Sequence, residues 1–215
     1  MPCRILGLEW LDFWLAFMAF RLRQVSFIYK VIKHQKSKSS INKMQKSKVS
    51  IGLVNPKSPD NVGSVMRAAG NYRVDSVFFT GERYLRALEF QKQVVNTGRQ
   101  VGRDIPISKV DCLLNEAPED MKVVCIEFAE NAISLPEYQH PEQALYVFGS
   151  EDGTISQDII DKADAVVYVP TVGCMNLAAT VNVVLYDRLA KSTQRIESNE
   201  LIRASRDRNN TLKVS

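Results

Sequence analysis

The stretch ALYVFGSEDG, residues 144–153, decides the fold. It opens with an unbroken apolar run, the pattern of a strand buried on both faces rather than one with a wet side. Gly149, Ser150, Glu151 and Gly153 follow at once. A buried strand that empties straight into a polar, glycine-containing loop suits the C-terminal edge of a parallel α/β sheet, where such sheets bind their ligands.

The same pattern repeats on both sides. Residues 49–54 read as a first strand, and Asn55-Pro56 and Ser58-Pro59-Asp60 are turn chemistry. A helix is predicted over 61–72, where Val62, Val65, Met66 and Ala69 recur at helical spacing, with Asp60 or Asn61 as its cap. Residues 75–80 form a second strand ended by Gly81, and 82–95 read as helical up to a break at residues 96–98. A short extended piece at 105–107 leads into a helix near 108–115. Residues 122–128 are a buried strand, 156–162 a short helix capped by Ser156, and 165–169 the last strand. A long helix spans 176–190 with Leu177, Val181, Val184 and Leu185 as its apolar stripe, and the polar residues after it read as a tail. Strands of this kind alternating with helices predict an α/β fold, a parallel sheet covered by helices on both faces. No GxGxxG follows a strand and no P-loop is present, which disfavours the conventional dinucleotide and nucleoside-triphosphate sites.

The 215 residues, 45% hydrophobic and 24% charged, suit one soluble domain with additions. Three parts are expected: an extension over 1–43, a domain over 44–193 and a tail over 194–215. Residues 5–20 are apolar and aromatic but short for a membrane span, and they contain Glu9 and Asp12. The extension is basic, with eight Lys/Arg against two acidic groups. Three readings of it stay open: a translation start placed upstream of Met44, a membrane-surface anchor through 5–20, or an added helix. Cys3, Cys112, Cys125 and Cys174 show no metal spacing, and His34 and His140 are far apart, so no metal site is expected. Cys125, inside an apolar run, reads as a small core hydrophobe.

The rest of the charge is unevenly placed. Residues 57–103 carry eight basic and four acidic groups, whereas 104–187 carry three basic and fifteen acidic. A polyanion would meet the first of these halves, through Arg73, Arg83, Arg86, Lys92, Arg99 or Arg103.

Three ordered motifs follow strands: Asn61-x5-Arg67, Phe148-Gly-x-Glu151-x-Gly153 and Pro170-x5-Asn176-Leu177. Together they resemble the three motifs of SpoU-type (TrmH-like) RNA 2′-O-ribose methyltransferases of the SPOUT superfamily, over about residues 49–190. The lack of an added RNA-binding domain is similar to the minimal members acting on tRNA. The resemblance implies an α/β-knot fold with a deep C-terminal trefoil knot, S-adenosyl-L-methionine as methyl donor and a homodimer with its active site at the interface. It also implies an RNA substrate and a cytoplasmic location. The catalytic candidates it assigns are Asn61, Arg67, Glu151 and Asn176. The donor would be held near Ile126, Glu127, Gly149, Val169, Cys174, Met175 and Leu177, mainly by backbone groups. Arg67, always charged, is suited to gripping a phosphate rather than acting as a base. Asn61 reads equally as a positioning group or as a helix cap. The chain departs from the pattern at Cys174 and Ala178, where serines are usual, and in a shorter loop from Pro170 to Asn176. The alternative those departures support is a non-catalytic knotted RNA-binding protein.

Overall fold

The computed structural model describes residues 48–91, 105–192, 198–206 and 209–214. The extension over 1–43 and its apolar stretch at 5–20, together with Lys92, Arg99, Arg103 and the break at 96–98, lie outside the described residues.

Among the described residues, seven strands make one sheet: β1 (Val49–Leu53), β2 (Ser76–Phe79), β3 (Ile107–Lys109), β4 (Lys122–Ile126), β5 (Ile133–Ser134), β6 (Ala144–Phe148) and β7 (Ala165–Tyr168). Their order is β3-β2-β1-β6-β4-β7-β5, and every pair is parallel. The chain therefore builds outward from β1 through β2 to β3, then crosses over and lays β4 away from β1. The gap is filled later by β6, and the slot between β4 and β5 by β7. Connections leave β1 and β6 in opposite directions, so their boundary is the topological switch point of the sheet. Leu53 pairs with Phe148, Phe148 with Ile126, and Ile126 with Val167. Four strands thus end at one level, and their loops emerge together.

Both faces are buried, but unequally. On one face the helices α1 (Pro59–Asn71) and α4 (Leu177–Lys191) pack against each other and on Ile51, Leu53, Val124, Tyr146 and Phe148. They bring Val62, Val65, Ala68 and Ala69 from α1 and Leu177, Val181, Val184 and Leu185 from α4. The other face, with Val123, Cys125, Leu145 and Val147, is closed by shorter pieces: a 3-10 turn at Leu113–Glu116 and the four-residue helix α3 (Gln157–Ile160). Burial pushes the Cys125 thiol up to about 12, so it is a neutral core group as the sequence suggested.

Several local expectations are corrected. Residues 108–109 belong to β3, and only 113–116 wind into a helical turn. Pairing with β2 fixes that short strand despite its weak pattern. The cap of α1 is Ser58, whose hydroxyl accepts from the Asn61 backbone N–H at 3.3 Å, with Pro59 in the first turn. Neither Asp60 nor Asn61 caps it. The two-residue strand β5 has no sequence signal, and the polar tail contains a helix, α5 (Asn199–Ser205), whose residues are exposed. The second predicted helix is described as α2 (Arg83–Gln91).

A buried polar network pins the end of α4 to the segment before β6. The His140 side chain is 4% exposed and lies 2.6 Å from the Tyr146 hydroxyl and 2.9 Å from Asp187. Burial holds the imidazole below its usual pKa and pushes the Tyr146 phenol up to about 12. Arg188 donates to the phenol oxygen. The phenol proton then goes to His140 Nδ1, and Nε2–H donates to Asp187.

Gly81 turns the chain from β2 toward α2 with φ +75°, and a Cβ there would stand 2.2 Å from the Asn55 side-chain oxygen. Gly81→Ala must therefore adopt a left-handed backbone, which costs about 1–2 kcal/mol, and displace Asn55 as well. Thermal unfolding should show a clear loss of stability, and an unchanged midpoint would contradict this account of the turn.

Candidate active site

The loops leaving β1, β4, β6 and β7 meet at the C-terminal edge of the sheet. Glu151, in the loop after β6, is half-buried and accepts three hydrogen bonds. They come from the Lys57 N–H at 2.8 Å, the Ser58 N–H at 2.9 Å and the Asn61 side-chain amide at 3.0 Å. Burial alone would raise its pKa, but the donors from Asn61, Ser58 and Lys57 outweigh it and hold the carboxyl below its ordinary range.

Asn61 continues the chain of contacts, its Oδ1 accepting from Asn176 Nδ2 at 2.9 Å. Asn176 is the N-cap of α4, its Oδ1 accepting from the N–H groups of Ala178 at 2.9 Å and Ala179 at 3.3 Å. The two ends dictate the orientation of both amides. A carboxylate only accepts and a helix start only donates, so Asn61 must turn its NH2 to Glu151 and its oxygen to Asn176. Glu151, Asn61 and Asn176 thus form one directed chain.

Arg67 stands apart from it. It lies about 9 Å further along α1 by helix rise, is exposed, and makes no ion pair or side-chain hydrogen bond with any described residue. Arg73, with φ +57° just beyond the helix, and Arg86 are likewise exposed. Arg83 is instead engaged, its guanidinium 2.8 Å from Asp152.

Of the other predicted positions, Ile126 is buried, while Val169 and Met175 are half-buried on either side of the exposed Cys174 loop. Leu177 is buried in the first turn of α4. Glu127 acts through its side chain as well as its backbone position. It accepts from the Ile155 N–H and its neighbour Phe128 N–H, both at 3.0 Å, and so ties the loop after β6 to the end of β4. Gly149 sits under this tie, where a Cβ would press to 3.2 Å from the Glu127 carboxylate. Within the loop from Pro170 to Asn176, the Thr171 hydroxyl donates to the Gly173 carbonyl at 2.8 Å, and Val172 is fully exposed.

Three features lay beyond the sequence reading. Lys57 and Ser58 serve Glu151 through backbone N–H groups, which carry no side-chain signature. Asp152 ion-pairs with Lys57 and Arg83; its place beside Glu151 was the only available clue. Beyond Glu127, Phe128 and Tyr168 lie ring to ring at 6.0 Å beside an open groove of about 390 Å³ that also touches residues 129–132.

Known proteins resemble this chain in sequence and fold. The chain is 28% identical to tRNA (cytidine-2′-O-)-methyltransferase TrmJ of Methanocaldococcus jannaschii over 68% of its own length and 69% of the relative's. A structure concerned with 2-OH methylation of C/U34 on tRNA superposes with TM-score 0.58 at 19% identity, covering 69% of this chain and 93% of that one. An AdoMet-bound rRNA methyltransferase from Sinorhizobium meliloti gives TM-score 0.56 at 16% identity, over 68% of this chain and 57% of its own. Residues 48–186, the sheet and its site loops nearly entire, match the SpoU rRNA Methylase family, and the chain is a member of it.

Proposed function

We propose that this protein transfers a methyl group from S-adenosyl-L-methionine to a ribose 2′-hydroxyl of tRNA, working as a homodimer. The observation that carries the proposal is the directed chain Glu151–Asn61–Asn176 at the sheet edge, with unpaired Arg67 on the same helix. Residues 44–193 would form the catalytic domain, with 1–43 and 194–215 as additions outside it. A deep trefoil knot through the segment from β7 to α4 is part of the proposal. It is supported by the late insertion of β6 and β7 into inner slots and by the packing of α4 against α1. A tRNA substrate implies the cytoplasm as the working compartment.

The site fits the methyl donor. Gly149 leaves space where a Cβ would press on Glu127, backbone groups of 126–127, 149, 169 and 174–177 emerge at one edge, and a groove of about 390 Å³ adjoins them. When bound, the donor supplies an electrophilic methyl group on a sulfonium. The protein's task is to orient the 2′-hydroxyl and exclude water. Glu151 is a poor candidate to take the hydroxyl proton, because its oxygens are engaged and its pKa is held low. Its role is to fix Asn61 and the start of α1. Arg67 would grip a phosphate of the target nucleotide and present the ribose. It touches nothing in the Glu151 chain within one protomer, which favours a site completed across a dimer. Tyr186 and Leu189, exposed on α4, offer apolar surface for that contact.

The rival reading, a non-catalytic RNA-binding member, rests on Cys174 and Ala178. Ala178 is buried and its N–H reaches Asn176, so the start of α4 forms without a hydroxyl there. Calorimetry with S-adenosylmethionine separates the two, since absence of binding would favour the rival. Mapping 2′-O-methyl groups in RNA from cells with and without the protein tests the activity, and identical maps would refute it.

If RNA docks on the basic half, binding of bulk tRNA must be salt-dependent. Engagement of phosphates by Arg67, Arg73 and Arg86 predicts a slope of log affinity against log salt of about −2 to −3. A flat titration would remove that face from consideration.

A further inference from the structure

Lys57 and Arg83 reach the edge of the site from different elements, yet both point at one atom. Asp152 Oδ2 lies 2.8 Å from the Arg83 guanidinium and 3.4 Å from Lys57 Nζ. Each of the three side chains is partly open to solvent, with 31%, 64% and 48% of the Arg83, Lys57 and Asp152 side chains exposed. Asp152 is held in place by its neighbour, because Glu151 grips the Lys57 and Ser58 N–H groups.

A guanidinium and an ammonium converging on one oxygen is the coordination that a phosphodiester oxygen receives from a protein. We infer that Asp152 stands in for an RNA phosphate, keeping Lys57 and Arg83 gathered as a two-cation clamp that the substrate backbone takes over on binding. The inference rests on the RNA methyltransferase reading and adds to it a substrate contact, Lys57, and a residue that opposes binding.

The surroundings suit such an exchange. The Arg83 hydrogen bond, with help from Lys57, holds the Asp152 carboxyl at about 2, so an anion is favoured at this point. Ion pairs this exposed contribute little to stability, so the carboxylate can leave at small cost. An incoming phosphate must still compete with it. The clamp would therefore discount any RNA that cannot place a phosphate beside Glu151, so Asp152 lowers affinity for RNA in general and gains specificity by doing so.

The test uses the full chain, bulk tRNA and a NaCl titration, with S-adenosylmethionine affinity and methyl transfer measured in parallel. Asp152→Asn should bind tRNA several-fold more tightly at low salt. Its salt slope should steepen by about 0.7–0.9, one phosphate's worth, with donor affinity unchanged. Arg83→Gln should bind more weakly with a shallower slope, and in the double variant the gain from Asp152→Asn should shrink. An unmoved affinity and slope in Asp152→Asn, or weaker tRNA binding accompanied by weaker donor binding, would overturn the clamp in favour of a structural tether. Absence of methyl transfer by the unaltered protein would instead overturn the activity reading itself.

Discussion

Arg67→Ala is expected to lower the turnover number for methyl transfer by about 10²–10³-fold while leaving S-adenosylmethionine affinity nearly intact. Arg67 is exposed on α1 and unpaired among the described residues, so its removal breaks no contact that holds the fold. It cannot serve as a base in its ordinary charged state. What it can do is bind a phosphate with two parallel hydrogen bonds and thereby fix the attached ribose. Loss of such a grip removes orientation in the transition state, so it should depress turnover more than donor binding. Radiolabelled methyl transfer to tRNA gives the rate, and calorimetry gives the donor affinity. Full activity in the variant would end the assignment, and an unfolded variant would contradict the claim that the side chain is structurally free.

The second large effect is expected from Glu151→Gln, a change of nearly equal size that reverses part of the hydrogen-bond polarity. Glu151 receives three N–H donors and offers none. A glutamine has one accepting oxygen, and its NH2 would face one of those donors. The conflict passes to Asn61, whose orientation is set from both ends, and through it to Asn176. A displacement of about 1 Å is enough to cost about 10²-fold in rate. The pH dependence has a definite sign. The carboxyl is held below its usual 4.5, so its contribution to stability is complete above that value. It is lost as pH falls through the depressed folded pKa. The wild-type protein should therefore lose stability below about pH 4.5 more steeply than the variant, as denaturant titrations at stepped pH would show. Unchanged activity in Glu151→Gln would mean that the chain of amides does not position the reaction.

How much of this was legible in the residues follows from what each signal encodes. The unbroken runs at 123–126 and 144–148 announced buried parallel strands because nothing else accommodates apolar side chains on both faces of a strand. The stripes of α1 and α4 were readable from apolar residues recurring three and four apart, which put them on one helix face. β3 and β5 were not, since two or three residues held only by a neighbouring strand have no period to detect. In the site, Asn61, Glu151 and Asn176 were visible as motif positions, with Asn61, Arg67 or the substrate as the open choices for what Glu151 holds; the structure selects Asn61, and its contact with Asn176 was not visible. Nor was the use of Asn176 as a helix cap, or the preference of α1 for Ser58 as its cap. The pairing of Arg83 with Asp152 was hidden for a different reason: charge counted along the chain does not reveal which cations already have an internal partner.

The contact between Asn61 and Asn176 joins residues 115 positions apart. α1 and its arginine are made early in synthesis, whereas the cap of α4 is among the last parts of the domain to leave the ribosome. Closing so long a loop is slow, because its entropy is spent before the contact forms. A growing chain can therefore expose Arg67 on its helix to the cellular RNA pool long before it holds an ordered catalytic edge. Competence arrives in one late step, when α4 docks and Asn176 meets Asn61, and every molecule able to transfer a methyl group has by then completed its fold.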